Sequence, residues 1–157
     1  MTLLAKIVRR GPADLLLAAE ALLLLAFFRA CLALVPVRRI IGLVTRNHVT
    51  RSHADVKDDG AAINETHERE TTLAIARRVQ WAIGAVVRHS PIEFVCFPQT
   101  LAGYTMLRWR GVRSTMVYGV ARSPAGELKA HTWLDVGNRN VLGGEGSGGF
   151  TPVERWR

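Results

Sequence analysis

Segments with helical hydrophobic spacing come first in this chain, and runs typical of strands come last. In residues 68–88, apolar side chains recur at the three- and four-residue spacing of a helix, with charged residues off that stripe. Three strand candidates follow later: 112–122, 128–136 and 139–143. The turns between them, 123–126 and Gly137-Asn138, carry hairpin-type residues, so the sheet should be antiparallel. Helices followed by such a sheet predict an α+β domain.

Length, composition and cysteine content limit the class of protein. A chain of 157 residues, 48% hydrophobic and 22% charged, has the size and composition of one folded domain. Its two cysteines, Cys31 and Cys96, exclude a disulfide framework and favour a reducing compartment. We therefore predict a cytoplasmic protein.

The net charge of +8 is unevenly distributed, with +6 in residues 1–54, −4 in 55–70 and +6 in the remainder. A positive body favours anionic partners such as an acidic peptide, a phospholipid surface or a nucleic acid. Arg108-Trp109-Arg110 could stack on a base, but arginines at a helix end around a half-buried Trp are commoner. We therefore predict no nucleic-acid binding.

Residues 1–44 are the most hydrophobic segment, and Glu20 and Arg29 interrupt their apolar runs. The uninterrupted runs are short for a membrane span, and no convincing signal-peptide cleavage site follows. We predict a helical hairpin that turns at Val35-Pro36 and packs with the core. The alternative is a peripheral helix at the inner membrane face or against a partner protein, with flanking arginines such as Arg38 and Arg39 facing anionic groups.

Residues 45–67 are polar and contain His48, His53, Asp55, Asp58, Asp59 and His67. Their irregular spacing matches no tight metal site, so we predict a linker and no metal. Residues 68–157 then form the core domain.

Cys96 comes just ahead of a helical stretch that the sequence predicts to run to Gly111, with Pro98 in its first turn. Unpaired N–H groups at a helix start favour a negative charge, and the thiolate is the nucleophilic form of cysteine. Cys31, inside the apolar N-terminal segment, is explained as a small buried hydrophobe.

Strand alternation predicts that His131, Trp133 and Asp135 share one face of the second strand. If that face meets the Cys96 helix, His131 can reach the thiol and form a pair suited to hydrolysis or acyl transfer. Either residue alone is explained as well by ordinary packing. Their combination favours chemistry.

Several short motifs, in their order and spacing, resemble the leader peptidase of lasso-peptide biosynthesis. This family belongs to the transglutaminase-like branch of the papain-like cysteine enzymes, and the resemblance covers most of the chain. The motifs are Cys96-Phe-Pro-Gln-Thr-Leu, Leu107-Arg-Trp-Arg-Gly-Val112, Val117-Tyr-Gly-Val120, Ala130-His-Thr-Trp-Leu-Asp-Val136 and Phe150-Thr-Pro-Val153.

The resemblance implies removal of a leader segment from a ribosomally made precursor peptide, without a cofactor. Cys96 would be the nucleophile, His131 the general base and then acid, and the Cys96 N–H a donor to the oxyanion. The implied partners are the precursor, a separate leader-recognition protein and the ATP-dependent lasso cyclase, a macrolactam synthetase.

The third catalytic residue departs from the family pattern, which has an Asp about a dozen residues after the His. Here that neighbourhood contains Glu145, which we predict to orient His131. A three-residue turn at 137–139 would bring Glu145 opposite His131, whereas a two-residue turn would bring Gly144 there. Asp135 is the second candidate, although four residues of strand separate it from His131 by roughly 13 Å.

Two other functions stay open from the sequence. The same Cys–His pair could catalyse a different acyl transfer, such as transglutamination or amide hydrolysis. The chain could also be a basic, non-catalytic adaptor on a cysteine-enzyme fold. An enzyme should have a Cys96 far more reactive than Cys31 toward an alkylating agent, and an adaptor need not.

Overall fold

The computed structural model describes residues 11–34, 39, 62–145 and 147–157. Within these residues the protein has three helices, four strands and one short 3-10 turn, and the predicted α+β class is confirmed. The elements are α1 (Pro12–Leu34), α2 (Ala62–His89), α3 (Cys96–Trp109), β1 (Thr115–Arg122), β2 (Leu128–Val136), β3 (Arg139–Leu142), the 3-10 turn (Ser147–Gly149) and β4 (Thr151–Trp156).

The four strands form one antiparallel sheet in the order β3-β2-β1-β4. The β1–β2 hairpin keeps one register throughout, from Thr115 opposite Asp135 to Arg122 opposite Leu128. The edge strand β4 was not predicted. It contains Pro152 and is exposed along most of its length, so it lacks the apolar alternation that identifies a half-buried strand.

The helices cover one face of the sheet. Met116, Leu134 and Val136 from that face join the helical core residues in one hydrophobic cluster. At Gly103 of α3, a side chain would contact Leu142 and Leu134, so a glycine there lets the helix approach the sheet closely. This close packing sets the position of α3, and therefore of Cys96, on the sheet.

Helix α1 packs on α2 and α3 through Leu17, Ala21, Leu25 and Phe28, which are buried. Among the described residues it is the one helix long and apolar enough to cross a membrane, by length and composition alone. Its uninterrupted apolar runs are nonetheless short, as expected from the sequence, because Glu20 and Arg29 divide them. Glu20 lies within the helix, and its carboxylate is paired with Arg110 at 2.6 Å.

Two boundaries differ from the sequence prediction. Helix α2 begins at Ala62, so the end of the predicted 45–67 linker is helical. Strand β1 begins at Thr115 because Val112 still donates its N–H to the Leu107 carbonyl at the end of α3. The predicted turn at Val35-Pro36, the earlier part of the linker and the His48–Asp59 region lie outside the described residues.

Candidate active site

Cys96 is the first residue of α3 and is half-buried. The preceding Val95 has an extended backbone and makes no side-chain cap. Within the described residues, the N–H groups of Cys96 and Phe97 make no hydrogen bond, and Pro98 has no N–H to offer. Two free donors therefore lie next to the thiol, where a developing oxyanion could be held.

The loop that leads into Cys96 is tied down by contacts from both sides. The Gln99 side-chain amide donates to the Phe94 carbonyl at 2.6 Å, and Arg29 of α1 donates to the Glu93 carbonyl at 3.0 Å. Ile92 and Val95 are about half exposed in this loop. The thiol therefore lies beside a fixed backbone with apolar side chains open to an incoming chain.

A buried pair of hydroxyl groups joins the start of α3 to β2. Thr100 Oγ1 donates to the Cys96 carbonyl at 2.9 Å and lies 3.1 Å from Thr132 Oγ1 and 3.4 Å from the Thr132 carbonyl oxygen. Both threonines are almost completely buried. Because Thr132 follows His131, the backbone of Cys96 is fixed beside the strand segment that carries His131.

The His131 side chain, however, starts from the opposite face of the sheet. Since β2 is regular against β1 and Thr132 contacts α3, alternation turns His131 away from the helix. The condition that the His131 face meets the Cys96 helix is therefore not met. Leu134 and Val136 explain this outcome, because they take the other face of β2 into the core. Within the described residues no hydrogen bond joins Cys96 Sγ to the His131 ring.

The half-buried imidazole of His131 is held by a main-chain acceptor and two aromatic rings. Its Nε2 lies 2.7 Å from the Gly143 carbonyl oxygen, and its ring centroid is 5.2 Å from Phe150 and 6.2 Å from Trp133. A carbonyl oxygen only accepts, so Nε2 carries the hydrogen in this bond. In the neutral ring, Nδ1 then keeps the lone pair that a general base needs.

The position of Gly143 depends on both a tight turn and a bulge. Val136 pairs with Arg139, which gives the two-residue turn Gly137-Asn138, and the register then shifts so that Leu134 pairs with Leu142. This shift restores the register that a three-residue turn would have given, but the ladder ends at Leu142. Gly143 has a φ of 70°, and a side chain there would lie 2.6 Å from the Thr132 carbonyl oxygen.

The two predicted orienting carboxylates make no hydrogen bond to His131 among the described residues. Glu145 is exposed, and Asp135 accepts from Asn140 Nδ2 at 3.1 Å. Burial raises the pKa of Asp135, while hydrogen bonds from Asn140 and Trp133 and the charge of Arg155 oppose that shift. Their assigned roles stay predictions.

Sequence reasoning missed the Gly143 carbonyl. Gly143 is twelve residues after His131, which is the spacing at which the resembled family has its Asp. The spacing could therefore have indicated this position, but a main-chain acceptor is not identified by the type of side chain in a sequence. The Thr100–Thr132 pair was missed for a related reason, since two buried hydroxyls far apart in the chain have no local pattern.

Comparison with known families bears on this arrangement. The model of the transglutaminase-like superfamily matches residues 31–155. The chain belongs to this superfamily. Its members are often cysteine enzymes, and the matched region contains both Cys96 and His131. The match begins near the end of α1, so most of that helix precedes it. Neither the search of curated proteins nor that of solved structures gave a match.

Proposed function

We propose that this protein is a cytoplasmic cysteine peptidase that removes the leader from a ribosomally synthesised lasso-peptide precursor before macrolactam formation. The observation that carries the proposal is the Thr100–Thr132 contact, which holds the start of the Cys96 helix against the His131 segment of β2. Membership of the transglutaminase-like superfamily supports the use of a cysteine nucleophile. The motif resemblance supports the choice of substrate.

In this mechanism the Cys96 thiolate attacks the carbonyl carbon of the scissile peptide bond. The free N–H groups of Cys96 and Phe97 stabilise the negative charge on the carbonyl oxygen. His131 takes the thiol proton on Nδ1 and donates it to the leaving amine. Water then hydrolyses the acyl-enzyme, which releases the leader carboxylate and regenerates the thiol.

His131 must approach Cys96 for these proton transfers. Catalytic hydrogen bonds are often long in unliganded enzymes and shorten when substrate binds. We propose that the leader segment, lying over the exposed Ile92 and Val95, brings the imidazole toward the thiol. The hydrogen bond to Gly143 leaves Nδ1 as the basic atom before this movement, and turning the ring toward the thiol would break that bond.

The proposed partners follow from this reaction. A separate leader-recognition protein would deliver the precursor. The amine released by cleavage would then be joined to a side-chain carboxylate by the ATP-dependent cyclase. No cofactor is needed for peptide hydrolysis by a thiolate and an imidazole.

Mass spectrometry of the precursor peptide tests the proposal. The precursor encoded beside this gene is incubated with its leader-recognition protein and with wild-type protein, Cys96→Ala or Cys31→Ala. Cys31→Ala is a matched control, because both cysteines are free and half-buried. We expect cleavage at one site by the wild-type protein and Cys31→Ala only. Equal cleavage by Cys96→Ala would remove Cys96 from the mechanism.

Superfamily membership favours a second candidate, another acyl transfer or amide hydrolysis by the same residues. Adding a primary amine to the same assay distinguishes it, since transglutamination adds the mass of the amine and loses ammonia without breaking the chain.

A third candidate, the non-catalytic adaptor, is favoured by the opposite-face position of His131. The rates at which Cys96 and Cys31 react with iodoacetamide distinguish it. An enzyme predicts a much faster reaction at Cys96, whereas similar rates favour the adaptor.

A further inference from the structure

The outward side of α1 carries a continuous row of large apolar side chains, here called the α1 ridge. Its members are Leu15, Leu16, Leu22, Leu23, Phe27 and Leu34. Leu16, Leu23 and Leu34 are the most exposed, at 72%, 71% and 84%. Leu23 and Phe27 are four residues apart, and Leu15/Leu22, Leu16/Leu23 and Phe27/Leu34 are each seven apart, so these side chains lie along one side of the helix. A contiguous exposed apolar surface of this kind marks an interaction site.

The ridge carries no charge, because every charged side chain of α1 is bonded to the protein body. Asp14 pairs with Arg78 at 2.9 Å, and Glu20 pairs with Arg110 through both carboxylate oxygens, at 2.8 and 2.6 Å. Arg29 donates to the Glu93 carbonyl. The most apolar window of α1 has a mean hydropathy of 2.2, yet only 22% of it is buried.

We propose that the α1 ridge inserts into the headgroup region of an anionic lipid bilayer, with the helix lying along the membrane surface. The ion pairs and the buried face of α1 bind the helix to α2 and α3. Crossing the membrane would break these contacts and carry two acidic side chains into hydrocarbon. Lying on the surface keeps them intact and removes the ridge from water.

Charge favours lipid over a protein partner. In the sequence, Arg9 and Arg10 come just before α1, and Arg38 and Arg39 come shortly after it. The only acidic residues in positions 1–54 are Asp14 and Glu20, and both are paired with arginine. Basic residues at both ends of an uncharged apolar ridge complement an anionic surface. This inference does not depend on the proposed peptidase activity.

Flotation with lipid vesicles tests the proposal. The full-length protein is mixed with vesicles of equal parts phosphatidylcholine and phosphatidylglycerol, or of phosphatidylcholine alone. We expect it to float with the anionic vesicles and to dissociate in part at high salt. The double variant Leu16→Ser/Leu23→Ser should lower the vesicle-bound fraction by about tenfold or more.

The matched control is Leu128→Ser/Val153→Ser, which removes two side chains of similar exposure, 70% and 60%, from the sheet. It should float like the wild type. If Leu16→Ser/Leu23→Ser does not fold by circular dichroism, Leu34→Ser at the end of the helix replaces it. Unchanged flotation of a folded ridge variant, or no binding by the wild type, overturns the proposal. So does a wild-type dimer in sedimentation that the ridge variant abolishes, since a second copy would then cover the ridge.

Discussion

His131 Nε2 lies 2.7 Å from the carbonyl oxygen of Gly143, just beyond the end of β3. A main-chain carbonyl does not titrate, so this acceptor holds the imidazole through a pH range in which a carboxylate would gain a proton. Gly143 also has the sequence spacing at which the resembled family has an Asp. The Gly143 carbonyl is therefore a further candidate for the orienting role that the sequence predicts for Glu145.

The substitution Glu145→Gln tests that assignment. Because Glu145 is exposed and has no hydrogen bond within the described chain, we expect leader cleavage to stay within about twofold of the wild-type rate. Asp135→Asn should behave in the same way, since its carboxylate is bonded to Asn140. A loss of about a hundredfold or more in Glu145→Gln alone would return the role to Glu145.

The tautomer of His131 can be observed directly. Nitrogen chemical shifts of the labelled, neutral imidazole, measured in Cys96→Ala, should report a hydrogen on Nε2 and a lone pair on Nδ1. Glu145→Gln should leave those shifts unchanged. A hydrogen on Nδ1 would contradict the bond to Gly143 and the proposed proton path.

The Thr100–Thr132 pair predicts a coupled loss of stability. Thr100→Val leaves the Thr132 hydroxyl without its buried partner and should cost about 1–3 kcal/mol in the free energy of unfolding. Thr132→Val should cost a similar amount. The double variant should cost less than the two single changes together, because neither hydroxyl is then left unsatisfied.

Urea unfolding of the four proteins gives the coupling energy. Thr105→Val is the helix control, because among the described residues the Thr105 hydroxyl bonds the Leu101 carbonyl of its own helix and nothing on the sheet. Additive effects of the two substitutions would show that the contact between α3 and β2 does not depend on this pair. A parallel fall in Cys96 alkylation rate in Thr100→Val would connect the contact with the site.

Gly143 and Gly126 allow a matched test of backbone strain, since both have positive φ angles, 70° and 84°. The Cβ added in Gly126→Ala would meet open space. This substitution should therefore lower the free energy of unfolding by about 1–2 kcal/mol, from the left-handed conformation alone. Gly143→Ala should cost more, because its Cβ would lie 2.6 Å from the Thr132 carbonyl oxygen. Equal losses in urea unfolding would argue against the close approach of Gly143 to β2.

The sequence predicted most of the fold, because local patterns determine most of it. Strand β2 has the predicted bounds, and α3 starts at Cys96, next to the predicted helix start. Which face of β2 contacts α3 depends on packing between distant parts of the chain, because burial of Leu134 and Val136 turns their face toward the helices. Period-2 spacing identifies two faces and does not say which one a helix covers.

The acceptor of the His131 hydrogen bond could not be predicted from side chains, because it is the main-chain carbonyl of Gly143. The sequence limited the β2–β3 connection to a two- or three-residue turn. The protein combines the shorter turn with a bulge that shifts the register between Leu134 and Asp135. A bulge depends on how the whole edge packs, so neither it nor the Gly143 carbonyl could be predicted from residues 137–145 alone.

Asp135 predicts how stability changes with pH. Its pKa in the folded protein is raised above the ordinary value of 3.8, chiefly by burial, so the folded state binds this proton more tightly than the unfolded state. Stability then falls as pH rises from about 3.8 through the raised pKa, and this contribution levels off above it. Asp135→Asn removes the charge and keeps an acceptor for Asn140.

Thermal unfolding of wild type and Asp135→Asn between about pH 3 and pH 7 measures this contribution. We expect the variant to gain stability relative to the wild type as pH rises through the raised pKa, because only the wild type must bury a carboxylate there. Glu145→Gln is the control for the loss of a carboxylate, because Glu145 is exposed. A relative loss of stability in Asp135→Asn toward neutral pH would mean that the bonds to Asn140 and Trp133 and the charge of Arg155 outweigh the cost of burial.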